Sequence, residues 1–427
     1  MRRPNRRMFF TLVLIIFWFT GIIFVKIKET SFGNFFNTNC TNTDASTNFQ
    51  FLSLARLIKM HNEEQRILNI ERYGPITKDT FFITIQVHNR IAYLRHLVDS
   101  LKKAKNIDKA LLIFSHDLYD NEINELIRSI DFCMVLQIFY PYSIQIYSNV
   151  FPGTDVNDCP RNIKKIDAIV KKCNNFDHPD SYGHYREAKF TQMKHHWWWK
   201  LNRIFDELNV TKELDIRLLL LEEDHFVAED FLYIYKEMQK QISFECPKCN
   251  IIALGTYEEK LNENTYNKIE ISPWTTNIHN MGMALNKTTW KAVKNCAEYF
   301  CTYDEYNYDF SLQNINIRCL KDKLFTALIR GPRIFHTGEC GVHHIHKNCN
   351  VNKKIDEINL NLSEAKKHRL LYPEDLEISS VDLKHPVLIL TNNGGWADKR
   401  DHCLCMQMTW NKVNSKCHGV LTLPNDL

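Results

Sequence analysis

The sequence predicts an α/β fold with a mostly parallel, doubly wound central sheet. Within residues 81–140, short apolar and β-branched runs alternate with stretches whose apolar residues recur at helical spacing. The apolar runs are uninterrupted, which is typical of strands buried on both faces. Because strands that are separated by helices usually pair in parallel, the β-α-β-α-β order indicates a doubly wound sheet.

The elements of this sheet follow one another along the chain. FFITIQV at 81–87 predicts a buried strand, and apolar residues at helical spacing from Ile91 to Leu101 predict the helix after it. ALLIFS at 110–115 predicts the second strand, NEINELIRSI the next helix, and MVLQIFY at 134–140 the third strand. A further strand is predicted for the four leucines at 218–221.

Composition bounds the class of protein. With 427 residues, of which 44% are hydrophobic and 12% aromatic, the chain can bury a large core, and this excludes a disordered protein. The formal net charge is +4, from 54 basic and 50 acidic residues, and this balance gives no indication of nucleic-acid binding.

The amino terminus predicts a membrane anchor. Four arginines within residues 1–7 precede an apolar stretch at 8–25, which would span about 27 Å as a helix. A cleaved signal peptide is the alternative, but no small-residue cleavage site follows before Lys26. Since the arginines should remain cytosolic, we expect a cytosolic tail at 1–7, a signal anchor at 8–25, a lumenal stem at 26–50 and a folded domain at 51–427.

If residues 26–427 lie in the lumen, the sequons can carry glycans and the cysteines can form disulfides. Sequons, which are candidate glycan sites, occur at Asn39, Asn209, Asn286 and Asn361. The 14 cysteines should mostly pair in an oxidising compartment, so we expect a structural disulfide between Cys246 and Cys249 rather than a redox pair or half of a zinc site. A disulfide between Cys159 and Cys173 would stabilise the fold by about 3 kcal/mol in the entropic model.

Three carboxylates follow directly on the leucine-rich strand. Ligands of doubly wound sheets bind beyond the carboxyl ends of the strands, so Glu222, Glu223 and Asp224 should lie at the edge of the site. Clustered carboxylates repel one another unless a divalent cation neutralises them, and they therefore predict a metal site. The alternative interpretation is a solvated turn before the helix that begins near residues 228–231.

Three further polar clusters are candidates for the site. In GHYREAKFTQMKHHWWWKL (183–201), Arg186, Lys189, Lys194, His195 and His196 adjoin three tryptophans, a composition suited to phosphates and sugars. The alternative is that Trp197–Trp199 begin a helix and are partly core. In CTYDEYNYDFSLQ (301–313), Asp309 would lie on a helix that begins near Tyr306, as a general base requires.

The fourth cluster, RIFHTGECGVHHIHKNC (333–349), contains four histidines and raises the alternative of zinc. A strand-like RIF would carry His336 toward the carboxylate edge, whereas His343, His344 and His346 lie further along the chain.

At these motifs the chain resembles a known family. QVHNR, FSHD, GHYREAKFTQMKHHWWWKL, LEEDHF, CPKC, LGTY, HNMGMAL, FCTYDEYNYD, PRIFHTG and GGWADKRDH resemble, in this order, the N-acetylglucosaminyltransferase II family of Golgi N-glycan processing. The resemblance covers about residues 51–405. It implies a GT-A-type (Rossmann-like) catalytic domain and inverting transfer of GlcNAc from UDP-GlcNAc to the 2-hydroxyl of the α-1,6-arm mannose. It also implies a single-pass type II protein of the Golgi membrane.

The resemblance also implies roles for single residues. Asp224 and His336 would ligate Mn²⁺, and Asp309 would be the catalytic base that deprotonates the attacking hydroxyl. The residues implied to bind the donor are Gln86, Val87, His88, Asn89, Arg90, Asp117, Gln192, Met193, Lys194, His195 and His196. By the family pattern the disulfides would be Cys159–Cys173, Cys246–Cys249, Cys296–Cys319, Cys301–Cys405 and Cys340–Cys349, which leaves Cys40, Cys133, Cys403 and Cys417 unassigned.

The sequence departs from the family pattern in two places. The stretch after LGTY is unlike the family, so Lys260 is at most a candidate contact. The bulky aromatic residues that flank the base are Tyr308 and Phe310 in this chain, which bears on acceptor fit rather than on mechanism.

Other functions stay open from sequence alone. The first is transfer to the α-1,3 arm, and the second is a lumenal glycan-binding protein without activity, for which a base would be unnecessary. A metallohydrolase built on the histidine cluster is a more distant alternative. A homodimer is compatible with the sequence.

Overall fold

The computed structural model describes residues 43–257, 262–338, 351–382, 393–412, 417 and 419–421. By internal contacts the chain divides into two units, Met1–Phe51 and Leu52–Leu427, and all described strands belong to the second. The predicted anchor at 8–25, as well as Cys40, Lys260, Cys340, Cys349 and the histidines at 343, 344 and 346, lie outside the described residues.

The described chain contains twelve strands and thirteen α-helices, numbered here in chain order. The strands are β1 Ile67–Leu68, β2 Phe81–Val87, β3 Ala110–His116, β4 Met134–Phe139, β5 Arg217–Glu222, β6 His225–Val227, β7 Cys249–Ala253, β8 Lys268–Pro273, β9 Met283–Asn286, β10 Phe325–Ile329, β11 Ile334–His336 and β12 Glu377–Val381. The helices are α1 Thr43–Glu64, α2 Ile70–Tyr73, α3 Ile91–Lys103, α4 Asn121–Arg128, α5 Lys165–Lys171, α6 Ala188–Asn202, α7 Phe231–Glu245, α8 Thr276–His279, α9 Lys287–Asn295, α10 Ala297–Cys301, α11 Tyr308–Arg318, α12 Val351–Lys367 and α13 Lys399–Trp410.

The predicted doubly wound half of the sheet is confirmed. Strands β4, β3, β2 and β5 are adjacent in this order and all parallel, with helices α3 and α4 as the crossovers between β2, β3 and β4. Register pairs Gln86 of β2 with Glu222 of β5, so both strands end at one edge of the sheet. The side chains that follow these strands therefore meet at that edge.

The other half of the ten-stranded sheet is mixed. It continues from β5 through β9, β7, β10 and β8 to β12. β9 runs antiparallel to both of its neighbours, whereas β8 is antiparallel to β10 and parallel to β12. Six strands nevertheless share one direction, namely β2, β3, β4, β5, β7 and β10, so the sheet is mostly parallel as predicted. A separate two-stranded sheet pairs β6 with β11 and places His336 opposite His225.

Both faces of the sheet are covered, which explains the uninterrupted leucine run of β5. Leu218 and Leu220 pack into the core on one face, and Leu219 and Leu221 into the core on the other. Helix α6 covers the first face. There Trp197, Trp198 and Trp199, which belong to the polar-aromatic cluster at 183–201, are all buried. All three tryptophans are therefore core, and they lie in the second half of α6 rather than at its start.

Disulfides reinforce the loops. The described chain forms Cys159–Cys173, Cys246–Cys249, Cys296–Cys319 and Cys301–Cys405, the four described pairs that the family pattern implies. It also joins two cysteines left unassigned above, Cys403 and Cys417, whereas Cys133 is a buried free thiol.

The predicted stem boundary falls inside a helix. Helix α1 runs from Thr43 to Glu64 and crosses position 50, where the sequence predicted the end of the lumenal stem. No α-helix in the described ranges has the length and apolar character to cross a bilayer.

Candidate active site

A cavity of about 600 Å³ opens at the carboxyl edge of the parallel strands. Its walls come from the ends of β2, β3 and β5, from β11, from the first half of α6 and from the start of α11. The predicted site residues that line it are Gln86, His88, Asn89, Arg90, Asp117, Gln192, Met193, Asp224 and His336. The fold therefore brings together motifs that are up to 250 residues apart in the sequence (336 minus 86).

Four residues predicted to bind the donor do not line this cavity. Val87 is fully buried in the core of the sheet, and Lys194, His195 and His196 are buried behind the wall that α6 forms. The side chain of His195 hydrogen-bonds Asp401 (2.9 Å), and His196 Nε2 lies 2.8 Å from the hydroxyl of Ser115. Successive helical residues point about 100° apart, so a run of five cannot face one cavity.

Arg186 is likewise a structural residue. Its guanidinium is buried and donates to Asp158 (2.9 Å) and to Asp401 (2.8 Å). Of the charged residues in the polar-aromatic cluster at 183–201, only Lys189 lines the cavity, with its side chain 62% exposed and paired to Glu187. The structure therefore does not bring Arg186 to the cavity.

The three carboxylates at the end of β5 have different partners. Glu222 accepts a hydrogen bond from the hydroxyl of Tyr308 (3.1 Å). Glu223 accepts from the backbone N–H of His88 (2.8 Å) and from Nε of Arg90 (2.7 Å). Burial raises the pKa of Glu223, although the charge of Arg90 opposes the shift. The second and third side chains are buried, so the alternative of a solvated turn is excluded for them.

Asp224 has an unused oxygen. Its Oδ2 accepts from Arg90 (2.8 Å) and lies 3.2 Å from His336 Nε2, whereas its buried Oδ1 has no hydrogen-bond partner among the described residues. Burial by itself would raise the pKa of Asp224, but the hydrogen bond from His336 and the charge of Arg90 lower it below the ordinary range. An orphaned carboxylate oxygen in a buried site needs a partner, and a cation would supply one.

The surroundings of this pair fit a metal ion. Gly338 lies so close that a Cβ there would come within 2.2 Å of Asp224 Oδ2 and 3.0 Å of His336 Nε2. Only glycine leaves this space open. Among the described residues no cluster of three or more His, Cys, Asp or Glu side chains has ligating geometry, so Asp224 and His336 would be a set of two protein ligands.

A second polar group stands at the end of β3. Asp117 is buried and binds His88 Nδ1 (2.6 Å) and the side-chain amide of Gln192 (3.0 Å), whose carbonyl accepts from the backbone of Ile144 (2.6 Å). Burial would raise the pKa of Asp117, but the hydrogen bond from His88 outweighs it and lowers the pKa. The imidazole of His88 is half exposed and is thus oriented toward the cavity opening by a fixed partner.

Asp309 lies on the second residue of α11, and its neighbours Asn307 and Tyr308 line the cavity. Its carboxylate accepts from the side chain of Asn280 (3.2 Å) and from the backbone of Phe310 (2.9 Å). Burial raises the pKa of Asp309, and the charge of Glu222 adds to the shift. A carboxylate with a raised pKa on a rigid element suits proton abstraction near neutral pH.

Sequence reasoning missed two groups at the site, Lys200 and Gly338, and it connected Tyr308 with acceptor fit rather than with Glu222. Lys200, fully buried on α6, donates from Nζ to Oε1 of the cavity-lining Gln86 (2.7 Å). Gly338 forms the cradle around Asp224, and Tyr308 fixes Glu222. The adjacency of Gly338 to His336 was the available signal for one of them, whereas nothing in the sequence connects Lys200 with β2.

A second cavity, of about 450 Å³, lies at the amino-terminal end of β5. It is lined by Arg217, Asn286 and the Cys246–Cys249 disulfide among others, and it contains none of the predicted catalytic, donor-binding or metal-binding residues. The chemistry therefore concentrates at the carboxyl edge.

Relatives with assigned names resemble the chain over most of its length. The alpha-1,6-mannosyl-glycoprotein 2-beta-N-acetylglucosaminyltransferase of Sus scrofa is 43% identical over 351 residues, which is 82% of this chain and 78% of the relative. The enzyme of that name from Homo sapiens is 43% identical over 354 residues with the same coverage, and that from Arabidopsis thaliana is 32% identical over 384 residues, 85% of this chain and 84% of the relative.

Similarity to solved structures is much weaker. Residues 1–349 of S. aureus TarS align with 9% identity and a TM-score of 0.32, over 79% of this chain and 77% of that one. The sequence model of N-acetylglucosaminyltransferase II (MGAT2), in contrast, matches residues 55–405. Since this match covers most of the chain and includes every described side chain of the cavity, the chain belongs to the N-acetylglucosaminyltransferase II family.

Proposed function

We propose that the protein transfers GlcNAc from UDP-GlcNAc to the 2-hydroxyl of the α-1,6-arm mannose of N-glycans, with inversion at the anomeric carbon. Its relatives at 43% identity bear the name of this activity. The observation that carries the proposal for this chain is the carboxylate of Asp224 in the cavity. Its buried Oδ1 has no partner among the described residues, and its Oδ2 lies 3.2 Å from His336 Nε2. Helix α11, which carries Asp309, begins at the wall of the same cavity.

Asp309 is the base of this reaction. Its carboxylate takes the proton of the mannose 2-hydroxyl while that oxygen bonds to the anomeric carbon of GlcNAc. The bond between this carbon and the diphosphate breaks on the opposite face, and UDP leaves with the bonding electron pair. A single displacement inverts the configuration, so no enzyme nucleophile is required.

Asp224 and His336 would hold Mn²⁺, the cation that the family pattern implies. A carboxylate oxygen suits Mn²⁺, and a neutral imidazole is the most common protein ligand of metal ions. When bound, the cation neutralises charge that develops on the diphosphate of the leaving group. Around it, Arg90 orients Asp224 and Glu223 through its two hydrogen bonds. The remaining donor contacts of the proposal come from Gln86, His88, Asn89, Asp117, Gln192 and Met193.

The cellular setting completes the proposal. Glycan-processing relatives are consistent with the secretory pathway. We place the GT-A-type domain in the Golgi lumen, held as a single-pass type II protein by the apolar stretch at 8–25.

A branch-resolved transfer assay tests the function. The full-length protein in detergent is incubated with UDP-GlcNAc and an N-glycan acceptor in which both arms are available, with Mn²⁺ or with EDTA. We expect GlcNAc on the α-1,6 arm only, and only with the cation. Product only on the α-1,3 arm would replace this specificity by the alternative one. Binding of UDP-GlcNAc without any transfer would instead indicate a glycan-binding protein.

A further inference from the structure

Two lysines of helix α6 are fully buried, although burying an ammonium group is costly. Lys194 is 0% exposed and Lys200 is 1% exposed. Burial lowers the pKa of Lys200 to about 7, and it lowers that of Lys194 well below the ordinary value. Such residues persist where their N–H donors satisfy groups that nothing else reaches, so the partners of each lysine are informative.

Lys194 binds the segment 303–307, which leads to the proposed base Asp309. Its Nζ donates to the backbone carbonyls of Glu305 (2.9 Å) and Tyr303 (3.2 Å). The same atom lies over the indole of Trp396, 4.1 Å from the ring centroid. The chain then runs through two cavity-lining residues into α11, where Asp309 is the second residue.

Lys200 holds the opposite wall. Its Nζ donates to Oε1 of Gln86 (2.7 Å), the last but one residue of β2, and Gln86 pairs in register with Glu222 of β5. Along the sequence of α6, the three core tryptophans lie between the two lysines. Gln192 and Met193 of the same helix line the cavity. One rigid helix thus contacts both the proposed donor wall and the segment of the proposed base.

We propose that Lys194 is a positioning residue that sets the proposed base Asp309 against the bound donor, and that Lys200 positions the donor wall through Gln86. Helix α6 fixes the distance between the two halves of the site, because the two amines extend from one rigid element, one to each half. This inference rests on the proposed transferase function. It assigns no contact with substrate to either lysine.

Lys194 shares the anchoring of this segment with other groups. The indole N–H of Trp396 donates to the carbonyl of Cys301 (2.8 Å), and the Cys301–Cys405 disulfide ties the start of the segment to α13. The loss of the amine should therefore let the segment shift without unfolding the domain. A misplacement on the order of 1 Å is enough to slow transfer by about 100-fold.

The two lysines are matched controls for each other. Lys194→Met and Lys200→Met each remove a buried amine from the same helix and keep an unbranched side chain of similar length. For both full-length variants kcat, acceptor KM, the UDP-GlcNAc dissociation constant by calorimetry and the thermal midpoint are measured. For Lys194→Met we expect a fall in kcat of about 10- to 100-fold, with donor affinity within about twofold. For Lys200→Met the larger change should fall on donor affinity, about 10-fold for one lost hydrogen bond.

Hydrogen–deuterium exchange gives a readout without turnover. Amides of residues 303–309 should exchange faster in Lys194→Met than in Lys200→Met. The inference would be overturned if the two variants showed the same change in kcat and the same change in donor affinity. It would also be overturned if Lys194→Met kept the wild-type kcat and the wild-type amide exchange of residues 303–309. A wild-type protein that transfers no sugar would overturn the proposed function instead, and exchange would still decide the role of Lys194.

A conservative variant covers a folding failure. Lys194→Gln retains an N–H donor, so we expect it to fold and to recover part of the lost kcat. If Lys194→Met and Lys194→Gln both fail to fold, the lysine serves the whole domain rather than the base, and the inference is wrong.

Discussion

Gly338→Ala tests the metal site without removing either proposed ligand. The new Cβ would lie 2.2 Å from Asp224 Oδ2 and 3.0 Å from both Asp224 Cγ and His336 Nε2, whereas ordinary contacts begin at 3.4 Å. The backbone of Gly338 does not have a positive φ, so the effect arises from the Cβ contact.

The size of this clash sets the expected loss of Mn²⁺ affinity. To reach ordinary contact, the carboxylate oxygen must move by about 1.2 Å, several times the tolerance of about 0.2 Å for a metal–ligand distance. The carboxylate has little freedom to retreat, because Asp224 is buried, its Oδ2 binds Arg90, and its backbone carbonyl accepts from the N–H of Thr337 (2.8 Å). We expect Mn²⁺ affinity to fall by about 10- to 100-fold, as for lost second-layer support of a ligand.

The assay is titration of Mn²⁺ followed by electron paramagnetic resonance, with and without UDP. Gly183→Ala is the control, because Gly183 has φ +86°, no atom lies within 4 Å of its Cβ position, and it does not line the cavity. This control should lose about 1–2 kcal/mol of stability and keep its cation affinity. If Gly338→Ala binds Mn²⁺ as tightly as wild type, Asp224 and His336 do not both ligate it.

Three further predictions concern the base, an ion pair and a disulfide. Asp309→Asn should lower kcat by about 10²- to 10⁴-fold and keep UDP-GlcNAc affinity in calorimetry. Because burial raises the pKa of Asp309 and the base must be ionised, wild-type kcat should fall with decreasing pH before about pH 4 is reached; a flat profile down to that pH would contradict the assignment. Asp401→Asn removes one of the two carboxylates that the buried Arg186 binds, the other being Asp158, and it should cost about 1–3 kcal/mol of unfolding free energy at pH 7 in urea. Burial opposes ionisation of Asp401, but Arg186 outweighs it and lowers the pKa, so this stability is present above about pH 4 and is lost as pH falls through the lowered pKa. Replacing Cys403 and Cys417 by serine should lower unfolding free energy by about 3 kcal/mol through the loop of sequence separation 14, measured by urea unfolding under oxidising conditions.

The parallel half of the sheet was predictable because buried strands are written as continuous apolar runs. β2 has the predicted bounds, β3 and β4 differ from theirs by one residue at one end, and β5 is longer by one residue at each end. The antiparallel strands β8 and β9 were not predicted, since their pairing depends on neighbours that are distant in sequence. Helix α6 begins nine residues before the first tryptophan (197 minus 188), because its first half buries polar side chains that an apolar pattern does not detect.

The site was predictable where chain direction settled the answer. Residues just after β2, β3 and β5 had to meet at one edge, and His88, Asp117 and Asp224 do so. Where a motif was carried over as a block, the structure does not bring all of its residues to the cavity, since Lys194, His195 and His196 are buried and do not line it. Which face of a helix is turned to a site depends on what covers its other faces. For His195 this covering group is Asp401, which lies over 200 residues away in the sequence.

Three consecutive carboxylates are tolerated at the end of β5 because each meets a different charge environment. Glu222 is held by a neutral phenol and Glu223 by a backbone amide and Arg90, so the hydrogen bonds of both are directed at protein groups. Asp224 shares Arg90 and His336 at one oxygen and keeps the other without a described partner. The triplet therefore acts as one candidate metal ligand with two supports, rather than as three ligands. Removing Glu223 should consequently affect cation binding through the position of Arg90, whereas removing Asp224 would remove the proposed ligand itself.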